Sequence, residues 1–126
     1  MIEKALGIVH DELKKIDVPY EFMRWTSLVK DRYWIGEFTE TPTDTEDGYE
    51  ETTLILTGTT KDNWAVLMQD RAKIKDHFPK IGGFRIPTEN GVVVIFYDNA
   101  FPVPTGEANL KRIQINLQIK AWKGMN

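Results

Sequence analysis

The sequence contains no cysteine. Disulfides, thiol nucleophiles and cysteine-ligated zinc are therefore excluded together, and a reducing cytosol suits the chain. Histidine is nearly as scarce: only His10 and His77 occur. Neither has a serine or carboxylate at the spacing of a catalytic motif, so both are expected as helix-face or helix-end side chains rather than bases or metal ligands. The longest apolar run, Val92 to Tyr97, is far shorter than the ~20 residues of a membrane-spanning helix. The opening Met1-Ile2-Glu3-Lys4 lacks the apolar core of a signal peptide, so a soluble compartment and no membrane partner are expected. Positive charge is also short. The net charge is −3, which removes the whole-domain basic footprint of a nucleic-acid binder.

What remains is the balance of a globular protein, with 41% hydrophobic and 28% charged residues in a chain of 126. That length and balance fit one domain over residues 1–126. Ile2, Ala5, Leu6, Val9, Leu13 and Ile16 recur at steps of three and four, one face of a helix that Asp17-Val18-Pro19 ends. Tyr20 to Leu28 and Tyr33 to Phe38 have the aromatic content of strands, with Lys30-Asp31-Arg32 as a turn between them. Thr39 to Glu50 reads as a polar loop, and the β-branched run Thr52 to Thr59 as a third strand.

Capping side chains in Thr60 to Asn63 precede a second helix carrying Trp64, Leu67, Met68, Arg71, Ile74 and Phe78, which Pro79 and Gly82-Gly83 close. Phe84 to Pro87 is a short strand, and Asn90-Gly91 marks a hairpin turn into Val92 to Tyr97, an apolar run expected as a central strand covered on both faces. Asp98 to Asn109 reads as another loop. The final strand is the clearest element: Ile113, Ile115, Leu117, Ile119 and Ala121 alternate with Gln114, Asn116, Gln118, Lys120 and Trp122. The expected fold class is α+β, in the order α-β-β-β-α-β-β-β, with both helices packed on one face of a mostly antiparallel sheet. The expected core comprises Leu6, Val9, Leu13, Leu67, Ile74, Val94, Ile113, Ile115 and Leu117.

No catalytic pattern emerges. The segment Asp44-Thr45-Glu46-Asp47-Gly48 tempts a calcium-loop assignment, but counting from Gly48 as the sixth place puts the apolar Leu54 where the bidentate Glu belongs. Gly82-Gly83 follows a helix, whereas a phosphate-binding glycine loop precedes one. No cofactor, metal or enzymatic activity is expected. Charge is polarised instead. Between Arg32 and Lys61 there is no Lys or Arg but seven acids, which leaves the rest of the chain basic. Glu40, Asp44, Glu46, Asp47 and Glu50 thus form an acidic limb, read either as a solvated loop or as a surface facing a partner or an anionic lumen. On the last strand, Gln114, Asn116 and Gln118 are amides without charge. With Trp122 beside them, they read either as a solvent face or as a subunit interface, since charge is depleted at interface cores.

Several stretches carry a resemblance over nearly the whole chain: Tyr33-Trp34-Ile35-Gly36-Glu37-Phe38, Glu46-Asp47-Gly48-Tyr49-Glu50-Glu51-Thr52-Thr53, Leu54-Ile55-Leu56-Thr57-Gly58, and Pro104-Thr105-Gly106-Glu107 leading into Leu110-Lys111-Arg112-Ile113-Gln114-Ile115-Asn116. With the order of elements, they resemble the small tail-completion or tail-terminator proteins of long-tailed bacteriophages, of the type found in phages and prophages of Gram-positive bacteria. The resemblance implies a structural protein that forms a homo-oligomeric ring, commonly a hexamer, at the head-proximal end of the tail. Such a ring stops growth of the tail tube, docks the head connector and lets DNA pass through it. It also implies residence in the host cytoplasm during assembly and then in the virion tail. Two other readings stand beside it. One is a small-molecule-binding module in which Tyr20, Phe22, Trp25 and Trp34 line an aromatic pocket. The other is an enzyme whose site the sequence does not flag.

Overall fold

The computed structural model describes residues 2–25, 31–41, 49–89 and 91–123. They form α1 (Ile2–Lys15), β1 (Tyr20–Phe22), β2 (Arg32–Thr41), β3 (Tyr49–Thr60), α2 (Trp64–His77), β4 (Phe84–Thr88), β5 (Gly91–Pro102) and β6 (Lys111–Lys123). The class is α+β. Its six strands make one sheet in the order β1-β2-β3-β6-β5-β4. All pairings are antiparallel except that of β1 with β2.

Helix α1 follows its apolar stripe: Ala5, Val9 and Leu13 are fully buried. Its end is a Schellman motif. The Val18 N–H donates to the Leu13 carbonyl at 3.0 Å and the Asp17 N–H to that of Lys14 at 3.2 Å. Asp17 takes the left-handed conformation this requires (φ 60°), and Val18 and Leu13 join the core together. The chain then enters β1, which spans Tyr20 to Phe22; Met23 to Trp25 are not strand, and 26–28 of the expected strand lie outside the described residues. At Met23 (φ 71°) the Arg24 N–H turns back to the Phe22 carbonyl at 2.9 Å, a strained γ-turn that ends the strand. Because β1 runs parallel to β2, the two are not a hairpin, and Arg32 belongs to β2 rather than to a turn.

Strands β2 and β3 pair over ten residues, from Arg32↔Thr60 to Thr41↔Glu51. The expected loop from Thr39 to Glu50 is correspondingly shorter, since Thr39–Thr41 and Tyr49–Glu50 are strand. Backbone pairing needs no apolar side chain, so the ladder runs on into the acidic segment. Strand β6 is the central one, with Ile113, Ile115, Leu117, Ile119 and Ala121 buried between β3 and β5. The run from Val92 to Tyr97 lies one strand further out. Val93, Ile95 and Tyr97 join the core, while Val94 is buried outside it under Gly83, where an added Cβ would come within 2.6 Å of the Val94 methyl. Strand β5 also continues to Pro102, because a bulge between Tyr97 and Asn99 resets the ladder. The Tyr97 N–H bonds the Phe78 carbonyl at 2.8 Å, anchoring the end of α2 to this bulge.

The core cluster unites Ala5, Val9 and Leu13 of α1, Leu67 and Ile74 of α2, and alternate residues of β2, β3, β5 and β6. Leu6 is only partly buried against it. The largest buried side chain is Trp34. Its indole lies over the cross-strand Gly58, where a Cβ would meet the ring at 2.6 Å. Tyr20 covers Gly36 in the same manner.

Candidate interaction surfaces

The side chains that alternate with the core residues form a second sheet face, none of whose members belongs to the core cluster. Across its middle stand Ile35 of β2, Thr53, Ile55 and Thr57 of β3, and Gln114, Asn116 and Gln118 of β6, all partly buried. Their polar groups are largely satisfied within the sheet. The Asn116 amide donates to Asn99 at 2.8 Å, Gln114 to Asn116 at 3.4 Å, and Gln118 to Asp98 at 3.3 Å, while Thr53 donates to Gln118 at 3.3 Å. The bulge at Asp98 makes part of this network, because it returns Asn99 to the face that holds Asn116. Glu37, opposite Ile55, and Asp98, beside Gln118, add two acids to this middle, and further charge lies at the ends. Arg112 reaches Thr59 at one end, and Glu51 and Lys120 are cross-strand neighbours at the other. Trp122 lies at that second end, half-buried opposite Val92. Gln114, Asn116, Gln118 and Trp122 therefore share one face.

Only two acids of the acidic limb fall among the described residues. Asp44, Glu46 and Asp47 lie outside the described residues. Glu40 sits in β2 and Glu50, exposed, in β3 near the start of the strand.

Two further surfaces escaped the sequence reading. Trp64 and Met68, which keep the helical spacing of α2, are 41% and 42% exposed. The helix buries Leu67, Asp70 and Ile74 instead. Trp64, Met68 and Arg71 line a groove of about 560 Å³ together with Phe101, Pro102 and Ile113 from the adjoining ends of β5 and β6. On the opposite flank, Phe22 and Phe38 stack with ring centroids 6.0 Å apart, and Met23 beside them is 57% exposed.

Asp70 is buried because it is a tie. Its Oδ2 accepts the Trp34 indole N–H at 2.9 Å and the Arg32 Nε–H at 2.6 Å. The carboxylate raises the Arg32 pKa above its ordinary value, and Arg32 also donates to the Asp17 carbonyl at 3.1 Å. One acid thus joins α2, β2 and the end of α1. His77 ends α2 as expected and makes a second tie. Its Nε2 lies 2.9 Å from the Glu12 carboxylate of α1, which also accepts from Lys15 at 2.7 Å. The Lys15 hydrogen bond, followed by the one from His77 against the opposing effect of burial, holds Glu12 below its usual pKa. His10 is exposed, with its ring 6.0 Å from that of Tyr20.

Of the four aromatics of the small-molecule reading, Tyr20 and Trp25 line one pocket of about 410 Å³ with His10, Lys14 and Arg32, and the other two lie elsewhere. Trp34 fills the core, Tyr20 packs on Gly36, Phe22 stacks on Phe38, and Trp25 tilts against Tyr33 at 5.5 Å. Among the described residues no three His, Asp or Glu side chains stand together as metal ligands, and no helix is long and apolar enough to cross a membrane. No family model matches the chain, and no curated protein matches it.

Proposed function

We propose that this chain is a structural assembly protein of a bacteriophage tail, forming a ring that ends the tail tube and joins it to the head connector. The observation that carries this reading is the sheet face around Gln114, Asn116 and Gln118, whose middle is made largely of amides and hydroxyls bonded to one another within the sheet. In this proposal both helices cover one face of the sheet and leave that one for a neighbour. Docking a sheet face ordinarily strips water from its polar groups at a cost of ~1–3 kcal/mol for each one left unpaired. Here the amides already bond to one another and to Asn99, Asp98 and Thr53, so contact strands few of them. The resemblance to tail-terminator proteins supplies the kind of assembly. The absence of any grouping suited to catalysis in the sequence agrees with a structural role.

The acidic limb takes its place as a wall facing the lumen or the next ring. Lys or Arg on such a wall would hold DNA phosphates, whereas acids repel them within a Debye length of roughly 8 Å. The test is deletion of the gene from the phage or prophage that encodes it, followed by electron microscopy of the lysate. Filled heads and unjoined tails of irregular length are expected. Normal particles would refute the reading. In the same phage, Asp44→Lys, Glu46→Lys and Asp47→Lys together should leave the protein folded and block assembly or DNA ejection, and normal infectivity would remove the role of the limb.

A further inference from the structure

The outer edge of β2 is only half covered. Strand β1 pairs with Trp34 to Gly36 and stops. There the Trp34 N–H donates to the Pro19 carbonyl, and the Gly36 carbonyl accepts from the Met23 N–H, each at 2.9 Å. The even-numbered residues of β2 thus aim their backbone groups away from β3, and strand alternation carries that direction on to Phe38 and Glu40. Among the described residues no strand pairs with these two on that side. The chain leaving β1 does not run along them, because Trp25 is already back beside Tyr33, with ring centroids 5.5 Å apart. Exposure changes at the same point: Trp34 and Gly36 are buried, whereas Glu37, Phe38 and Thr39 are exposed. An open edge of this kind is a template for another strand. The remaining edges are blunted. Strand β1 is three residues long, and its Phe22 carbonyl already accepts from Arg24. On the far side of the sheet Pro87 lies in β4 and Pro102 ends β5, and proline has no N–H to give. The stretch Glu37 to Thr41 contains no proline.

We infer that this edge pairs with the same edge of a second copy, antiparallel about a two-fold axis through Thr39. In that register Phe38 stands across from the partner's Glu40 and Glu40 across from the partner's Phe38, so every outward N–H and C=O of these residues finds its complement. Among the described residues no other edge of the chain supplies a matching row. The length fits as well. Thr41, the last residue of β2, falls across from the partner's Glu37, and one position further lies Gly36, whose carbonyl already accepts from Met23. Thr39 meets the partner's Thr39, and no acid stands directly opposite another, the arrangement that would oppose pairing. The Phe22–Phe38 stack of each copy comes to the same side of the join. Because both copies use the same surface, the contact is isologous and gives a dimer rather than a ring. It does not rest on the ring reading above.

The experiment uses the purified full-length chain, which has no cysteine of its own. Thr39→Cys puts two thiols at a non-hydrogen-bonded antiparallel pair, whose Cα separation of ~4.5 Å is within disulfide reach. Mild oxidation is expected to give a covalent dimer. Glu37→Cys is the register control: the two-fold holds its two copies ~13 Å apart along the strands, so it should not cross-link. Sedimentation velocity over a wide concentration range compares the wild type, expected to dimerise, with Glu40→Pro. Proline there removes an outward N–H and leaves the β2–β3 ladder intact. Symmetry doubles the loss, so association should weaken at least ~10-fold with an unchanged circular dichroism spectrum. The contact is overturned if the wild type is monomeric at every concentration, if Glu37→Cys cross-links as readily as Thr39→Cys, or if Glu40→Pro associates like the wild type. A monomeric wild type together with a block of phage assembly by Glu40→Pro would overturn the second copy in favour of a strand from another protein.

Discussion

Replacing Asp70 tests whether the buried tie between α2 and β2 holds the two elements together. Asp70 is 1% exposed, and its Oδ2 carries both the Trp34 indole N–H and the Arg32 guanidinium. In Asp70→Ala the indole donor, on a fully buried ring, is left without an acceptor, which costs ~1–3 kcal/mol. Arg32 also loses its counter-charge. Removing one partner of a fully buried ion pair costs ~3–5 kcal/mol, but Arg32 is 26% exposed, so water recovers part of this. Allowing for that recovery, the total should be about 3–4 kcal/mol, a large share of the ~5–15 kcal/mol that stabilises a typical domain. Asp70→Asn keeps the volume and one acceptor oxygen and should lose about half as much. Urea unfolding followed by tryptophan fluorescence measures both, with an unchanged slope as the sign that only stability has moved. The melting temperature should fall by more than about 10 °C in the alanine variant. A loss below about 0.5 kcal/mol in Asp70→Ala would refute the tie and show that the Trp34 N–H finds another acceptor.

Two further predictions concern single titrating groups. Tyr20 has a buried hydroxyl with no hydrogen-bond partner, and burial pushes its pKa up to about 12. Tyr20→Phe should therefore match or exceed the wild type in stability by up to ~1 kcal/mol, and a clear loss would reveal a partner for the hydroxyl. In the wild type the folded-state pKa is raised above 10.0, so stability is full below pH 10 and declines as pH rises toward 12, a limb that the Phe variant should lack. Glu12 is shifted the other way, below 4.5, chiefly by Lys15 and then by His77. Its contribution is present above that value and is lost as pH falls through the depressed pKa. Glu12→Gln should flatten the acid side of the stability profile below about pH 4.5, and an unchanged acid limb would remove the Glu12 tie.

The elements most legible in the sequence are those whose pattern and packing agree. The i, i+4 spacing of Ala5, Val9 and Leu13 and the strict alternation from Ile113 to Ala121 reach the structure intact, because each needs only one buried face. Strands β4 and β5 pair antiparallel as the hairpin expected there, with Thr88 opposite Gly91, while Asn90 lies outside the described residues. The errors fall where a backbone event outranks side-chain character. A γ-turn at Met23 cuts β1 short although the following residues look strand-like. A bulge at Asp98 carries β5 through Asn99 and Pro102, residues that read as loop. Strand pairing likewise extends β2 and β3 into acidic sequence.

The candidate surfaces divide by the same logic. Gln114, Asn116 and Gln118 were visible because a single strand supplies them at period two, so composition along the chain is composition across the face. The groove and the Phe22–Phe38 patch were not. Phe22 and Phe38 are sixteen positions apart in sequence and meet only because β1 adds to β2 in parallel. Trp64 and Met68 repeat at a helical step and so resemble core. Yet a helix docked by Leu67 and Ile74 turns that adjacent stripe toward Phe101 rather than into the sheet. Helical spacing states that residues share a side of the helix, but not which side the sheet covers. Deciding that needs the buried Asp70, whose bonds to Trp34 and Arg32 fix the rotation of α2. A polar residue that looks like solvent in the sequence thus determines which apolar residues of α2 remain on the surface, and the groove follows from it.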